Sequence, residues 1–297
     1  MPATHLDTYK MRLLTQTDIP AVERLLRTSE YIYQRFTLNE LPLLLKHYPA
    51  VGMFNGKTLH SFLLAQSVNP PTAWIGGFGV SWTESNYYLD ILFRLLEVLS
   101  SQLITQGVKH LHYSGNDSER DWLRDVLLKR SFLPYRRLYS YDKFDYEMPS
   151  QGNQQVLVRQ VNVTGKYGKA DDMAALLSIE HACFEDLWRY DAAAFTDIAA
   201  THPYFVVAEL QGKVVGYQFN ALDDEYGYLV RIAVSPSAEG KQIGVRLMAE
   251  AIRFFQRERV TRIMLNSQDD NAHAHRLYEW FGFERIEQMG FVLRKHL

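Results

Sequence analysis

Two stretches of the chain repeat one rhythm of apolar and polar positions. The first opens with a short apolar strand, Met11 to Leu14, and enters a helix near Thr17 and Asp18. The second opens with Val156 to Val161 and enters its helix near Asp171 and Asp172. Both place Asp ahead of an apolar run with helical period, the position an N-cap takes. A hairpin follows in each. VGMFNGKTLHSFLLA carries Asn55-Gly56 as its turn signal, and FVVAELQGKVVGYQFNAL turns at Gln211-Gly212. Each stretch then has an apolar strand, TAWIGGFGV ending at Val80 and YGYLVRIAV ending at Val234. A helix, a strand (Lys109 to Ser114; Arg262 to Ser267), a second helix and a last strand (Tyr135 to Asp142; Glu287 to Arg294) complete both.

The spacing is nearly constant: Val80 and Val234 lie 154 residues apart, and Ser114 and Ser267 lie 153 apart. That offset predicts a tandem repeat of one α/β domain, with a mixed sheet flanked by helices. The polar segment Glu147 to Gln155, EMPSQGNQQ, reads as the linker. It divides the chain into expected domains at 1–148 and 155–297.

Composition narrows the class without naming it. The 297 residues are 47% hydrophobic and 22% charged, which suits globular domains with ample core material. A net charge of −2 gives no global field for nucleic acid or an anionic membrane. No uncharged apolar run reaches the ~18 residues of a membrane helix. The start, MPATHLDTYKMRLL, lacks a signal-peptide pattern. The single cysteine, Cys183, has no partner for an internal disulfide, which fits a reducing compartment. The expectation is a cytoplasmic protein, monomeric or homodimeric, with neither nucleic acid nor membrane as partner. No metal site is visible.

The chemistry concentrates between Val234 and Phe283. A strand that ends in a tight, glycine-bearing turn and opens a helix presents free backbone N–H groups and the helix dipole to an anion such as a pyrophosphate. The run Glu239-Gly240-Lys241-Gln242-Ile243-Gly244 has that form. A plain β–α turn would read the same way. The run Asn271-Ala272-His273-Ala274-His275-Arg276-Leu277-Tyr278-Glu279-Trp280-Phe281-Gly282-Phe283 places Asn271 as N-cap and gathers Ala274, Leu277, Tyr278 and Phe281 on one helix face. Gly282 ends the helix. His273 and His275 look like surface positions on different faces.

This second run resembles the pattern Asn-x-x-Ala-x-x-Leu-Tyr-x-x-x-Gly-Phe of the GNAT N-acetyltransferase superfamily at every defined place. The element order is similar to the GNAT plan in both halves. The resemblance implies two tandem GNAT-like acyl-CoA N-acyltransferase domains, with acetyl-CoA as co-substrate of the second. It implies that the turn and helix start, Glu239, Gly240, Lys241, Gln242, Ile243, Gly244 and Val245, hold the pyrophosphate. It implies a splayed strand whose Ile232, Ala233 and Val234 meet the pantetheine arm, with Asn271 and Tyr278 beside it. Tyr278 would serve the leaving thiolate. Two departures stand in the turn: Glu239 occupies the family's Arg/Gln position, and Gln242 its first glycine. Gln242 fits if its backbone is helical.

For the general base, the resemblance points to a carboxylate near the same strand. Asp223, Asp224 and Glu225 are the candidates and Glu225 the choice, against the reading of all three as a solvated turn. On the acceptor side, SIEHACFEDLWRY offers Glu185, Asp186 and Trp188 to a cationic amine, or is a mixed helix with a buried Trp. Arg231 either faces this side or is a buried ion-pair partner. Cys183 reads as a small buried residue, not a nucleophile.

The first half has no glycine and two carboxylates from Trp82 to Asp90, and no Tyr at the place of Tyr278. It resembles a GNAT domain without cofactor chemistry, with a structural role or a degenerate site. The expected function is transfer of an acetyl group to a primary amine, on a small molecule or a protein N-terminus, by direct attack. The alternatives are a non-catalytic acyl-CoA-binding or scaffold protein, and an aminosugar-linked cysteine acceptor of the kind used in mycothiol synthesis.

Overall fold

The computed structural model describes residues 8–116, 121–163, 171–223 and 225–297, which gather into two compact units, Met1–Arg136 with Phe291–Leu297, and Arg137–Gly290. The first unit runs β1 (Lys10–Leu13), α1 (Ile19–Thr28), β2 (Ile32–Gln34), α2 (Leu41–His47), β3 (Ala50–Asn55), β4 (Thr58–Asn69), β5 (Thr72–Val80), α3 (Tyr88–Thr105), β6 (His110–Asn116), α4 (Trp122–Leu128) and the start of β7 (Leu133–Lys143). The second takes the rest of β7, then β8 (Leu157–Gln160), α5 (Met173–Cys183), α6 (Ala192–Thr201), β9 (Tyr204–Leu210), β10 (Lys213–Leu222), β11 (Tyr226–Val234), α7 (Ile243–Glu258), β12 (Arg262–Gln268), α8 (Ala272–Trp280) and most of β13 (Glu284–His296).

These units do not follow a single cut near residues 148–155. Part of β7 belongs to the second unit, where Tyr141 is buried in the core with Ile252, Phe255, Leu265 and Tyr278. The chain's last residues belong to the first, where Phe291 and Leu293 are buried with Leu95, Leu99 and Leu111. Each unit thus takes a core strand from the far half of the sequence. Apolar burial at Tyr141, Phe291 and Leu293 drives this, and it overrides the local linker signal.

The repeat extends to details. Arg12, third residue of β1, pairs with Asp18 ahead of α1 at 2.7 Å. Arg159, third residue of β8, pairs with Asp172 ahead of α5 at 2.8 Å. In each unit one strand meets its parallel neighbour over three residues only: β5 with β6 from Thr72 to Trp74, and β11 with β12 from Tyr226 to Tyr228. Just beyond, the pairing with the antiparallel neighbour slips by one residue, leaving Gly76 in β5 and Val230 in β11 as bulges. A bulge bends a strand and increases its twist. Both strands therefore leave their parallel partners, and each unit has a V-shaped opening beside the freed edge.

The two openings are treated differently. In the first unit β2 lies antiparallel against the freed edge of β5, Ile32 to Gln34 opposite Gly79 to Gly77, and the Tyr33 hydroxyl donates to the Ser114 carbonyl of β6 at 2.9 Å. At an offset of 154 residues, Gly77 to Gly79 correspond to Arg231 to Ala233. The second unit has no strand at that place among its described residues.

Candidate functional site

In the second unit the splay, the turn after β11 and the start of α8 enclose a cavity of about 360 Å³. It is lined by Ile232, Ala233, Val234, Glu239, Gly240, Gln242, Ile243, Gly244, Val245, Asn271 and Tyr278, together with Cys183, Phe184 and His273. Every residue expected at a cofactor is here except Lys241, which is exposed and does not line this cavity. A second cavity, of about 240 Å³, shares Tyr278 with the first and is lined also by Trp188, Tyr190, Tyr228, Arg231 and Asn266 to Gln268. Phe184, Ile232, Asn271 and Tyr278 line both cavities.

The first cavity is built to meet an anion at one end. α7 is a 16-residue helix whose N-cap, Gln242, offers no side-chain bond to the first N–H groups. Those of Ile243, Gly244 and Val245 also lack intrahelical partners by geometry. Gln242 itself is left-handed, at φ 54, and so is Gly240, at φ 74. The expectation of a helical Gln242 is therefore corrected. The turn needs a positive φ at this place, which explains why glycine is usual there and costs a Gln about 1–2 kcal/mol. The linker holds this strained turn: the Asn153 side chain donates to the Lys241 carbonyl at 3.0 Å and its N–H to the Gln242 carbonyl at 3.4 Å. The Lys241 carbonyl is thus directed to Asn153, while the Gln242 carbonyl also accepts from the Arg246 N–H of α7 at 3.1 Å. Gly244 has no tight contact of its own, since an added Cβ would meet Leu277 at 3.7 Å and Val234 at 3.8 Å, both cavity-lining side chains. The fold leaves room at Gly244 that the fold itself does not use.

At the other end stands Tyr278, on the inner face of α8. Asn271 caps the helix by accepting from the Ala274 N–H at 3.2 Å, and left-handed Gly282 ends it with the Phe283 N–H on the Tyr278 carbonyl at 3.0 Å. The Tyr278 ring is 6% exposed and packs edge-on to Tyr141 at 5.7 Å. Burial pushes its hydroxyl up to about 12, with a hydrogen bond to Ser267 acting the other way. The phenol is neutral throughout the physiological range and can donate a proton. Tyr228, across the second cavity, is also pushed up to about 12 by burial.

The other expected residues divide. Glu225 is exposed at the turn into β11, where its carbonyl accepts from Thr261, and it lines neither cavity. The site residues of β11 are at the opposite end of the strand, roughly 20 Å away at ~3.3 Å per residue. Glu225 as general base is therefore corrected. Asp223 is exposed as well, and Asp224 lies outside the described residues. Glu185 and Asp186 are exposed and line neither cavity, and Asp186 pairs with Arg189. The acidic acceptor wall expected there does not form, although Trp188 does line the second cavity.

Arg231 is the ion-pair partner of its second reading, and it also faces a cavity. It lines the second cavity, and it pairs at 2.5 Å with Glu180, a carboxylate with no exposure at all. Glu180 also accepts from the Tyr217 hydroxyl and from the Tyr190 N–H at 2.9 Å. Burial pushes its carboxyl up, opposed by Arg231, Tyr217 and the Tyr190 N–H. Sequence reasoning missed Glu180. Its signal was a carboxylate on the apolar helical row Leu176, Ile179, Cys183. Cys183 is half-buried, its thiol pushed up to about 11 by burial and donating to the Val234 carbonyl at 3.2 Å, in keeping with a structural cysteine. His273 lines the first cavity. His275 instead packs inward, its Nδ1 at 2.9 Å from the Tyr141 hydroxyl. Among the described residues no cluster suits a metal ion, and no helix is long and apolar enough to cross a membrane.

In the first unit the turn after β5 carries Glu84, which is buried and accepts from the Tyr9 hydroxyl at 2.6 Å. Among the described residues, a buried carboxylate and β2 thus take the places that the turn and the freed edge hold beside the first cavity in the second unit.

Comparison with known proteins agrees with this geometry. Residues 173–283 match the model of the acetyltransferase (GNAT) family. The chain is 35% identical over 78 residues to the spore coat polysaccharide biosynthesis protein SpsD of Bacillus subtilis (strain 168), a match that covers 26% of this chain and 27% of that protein. It is 32% identical over 106 residues to N-acetylaspartate synthetase of Danio rerio, covering 32% of this chain and 38% of that protein. The chain thus spans well under half the length of these two relatives. Among solved structures, a tandem GNAT protein from the clavulanic acid biosynthesis pathway superposes with a TM-score of 0.66 at 11% identity, over 97% of this chain and 98% of that one. At that identity the likeness shows the fold, which is a pair of tandem GNAT-like α/β domains.

Proposed function

We propose, from the match of residues 173–283 to the model of the acetyltransferase (GNAT) family, that the second unit moves an acetyl group from acetyl-CoA to a primary amine by direct attack. The observation that carries this reading is Tyr278: one buried, neutral phenol lines both cavities. The first cavity would hold acetyl-CoA and the second the acceptor. When bound, acetyl-CoA supplies an acyl carbon activated by its thioester.

The chain's own groups do the rest. The N–H groups at the start of α7 and the left-handed turn at Gly240 and Gln242 would bind the phosphates, where the helix dipole favours negative charge. The room beside Gly244 supports this fit, because the protein leaves it unfilled. The freed edge of β11 at Ile232 to Val234 would pair with the pantetheine amides as an added strand does. The second cavity would orient the amine so that attack is effectively unimolecular. As the C–N bond forms and the C–S bond breaks, Tyr278 would protonate the departing sulfur and regain the proton that the attacking nitrogen loses. With Glu225 distant, the acceptor's own pKa sets how much of it is reactive.

The names of the relatives, a polysaccharide biosynthesis protein and an N-acetylaspartate synthetase, point to different products, so the acceptor is best read from the cavity. A second reading, an acyl-CoA-binding scaffold, draws on the exposed carboxylate of Glu239 at the rim of the first cavity. Tyr278→Phe separates the two. As a general acid, Tyr278 is worth roughly 10²–10⁴ in kcat, while the affinity for acetyl-CoA measured by calorimetry should stay within about twofold. Unchanged turnover would remove Tyr278 from the chemistry. Tight binding with no thiol release from any amine would favour the scaffold.

A further inference from the structure

The charge that faces the acceptor cavity is the opposite of the one the sequence led us to expect. Among its described lining residues Arg231 alone carries a formal charge, and no carboxylate lines it. We propose that this cavity selects primary amines that also carry a carboxylate, of the amino-acid type, and that Arg231 grips the carboxylate. The proposal rests on the acetyl-transfer reading above and names the class of its acceptor.

The guanidinium is held as a fixed tool. One face lies over Phe184, with Cζ 4.0 Å from the ring centre, and the Tyr190 ring centre is 4.2 Å from Cζ. Nη1 donates to Glu180 at 2.5 Å and Nη2 to the Trp188 carbonyl at 2.9 Å. These bonds engage two of the five N–H groups a guanidinium possesses. Glu180 lies behind, fully buried and lining neither cavity, with its oxygens engaged by Arg231, Tyr190 and Tyr217. The pair therefore orients Arg231 without presenting a carboxylate to a ligand. A guanidinium so oriented suits a planar carboxylate, which it can take through a second edge. A diamine would bring a second cation against Arg231 and find no anion on the described lining.

The inference is read on the unaltered protein. L-amino acids, their carboxamides and 1,4-diaminobutane are compared as acceptors by thiol release from acetyl-CoA. Binding of the same compounds in the presence of CoA is followed by calorimetry. At least one amino acid should exceed its own carboxamide tenfold or more in kcat/KM or in affinity, and the diamine should be poor. The Glu180→Gln/Arg231→Gln double variant, which removes both charges and leaves no buried ion unpaired, should lose that preference while keeping its thermal midpoint. Carboxylate-selective binding without turnover would overturn acetyl transfer and keep the subsite. Equal use of carboxamides, preference for the diamine, or no binding of any of these compounds would overturn the subsite, whatever the fate of acetyl transfer.

Discussion

Replacing Gly244 by Ala sets the fold and the ligand against each other. Gly244 lies in the first turn of α7, and its added Cβ would be 3.7 Å from Leu277 and 3.8 Å from Val234, which is ordinary contact. The fold therefore gains from the change. Alanine is favoured over glycine in a helix by up to about 1 kcal/mol, less in a first turn, so about 0.5–1 kcal/mol of stabilisation is expected. For a domain of this size that raises the thermal midpoint by roughly 1–4 °C. The new methyl also enters the first cavity, beside the N–H groups proposed to hold the phosphates. A loss of tenfold or more in acetyl-CoA affinity, ~1.4 kcal/mol or more, is expected. Differential scanning fluorimetry reads the first effect and calorimetry the second. A variant that is more stable and binds acetyl-CoA unchanged would show that this cavity is not the cofactor site. A destabilised variant would show that Gly244 is kept for packing.

Three further outcomes follow from the same geometry. Gln242→Gly releases a left-handed residue and, after the entropy cost of glycine, should stabilise by up to about 1 kcal/mol in urea denaturation, with acetyl-CoA affinity retained. Asn153→Ala removes the side-chain bond to the Lys241 carbonyl and keeps the backbone N–H that faces the Gln242 carbonyl; at roughly 0.5–1.5 kcal/mol for the lost bond it should weaken acetyl-CoA binding several-fold and leave the acceptor KM unchanged. The hydroxyls of Tyr278 and Tyr228 are both pushed from the usual 10 to about 12, so their burial contributes stability that is fully present below pH 10 and lost as pH rises from 10 towards 12. Urea midpoints should hold level to pH 10 and then fall, and Tyr278→Phe should soften the fall.

Much of the site was legible because its signals are local. Asn271, Tyr278 and Gly282 declare a capped helix and its inner face in thirteen consecutive residues, and the offset between Val80 and Val234 declares the repeat. What escaped was non-local or rare. The exchange of Tyr141 and Phe291 between units depends on which core has room for them. The bulges at Gly76 and Val230 exist only in the pairing of two strands. A left-handed Gln is too uncommon to predict, and Glu225 was chosen by nearness along the chain, although its strand carries it away from the chemistry. Glu180 could have been noticed as a carboxylate among apolar neighbours, yet only the structure shows Arg231 opposite it.

The strand β2 gives the first unit a permanent tenant. A segment tethered close in sequence acts at a local concentration of the order of millimolar. A free thioester would have to outcompete a strand that gives up no translational freedom when it docks, and Tyr33 latches that strand to Ser114. The occupied opening stays hydrogen-bonded without any diffusible molecule. Its neighbouring turn is therefore released from the need to tolerate phosphate, and Glu84 can sit buried where the other unit keeps room for an anion. On the proposed reading, calorimetry should therefore count one acetyl-CoA per chain, although the architecture appears twice.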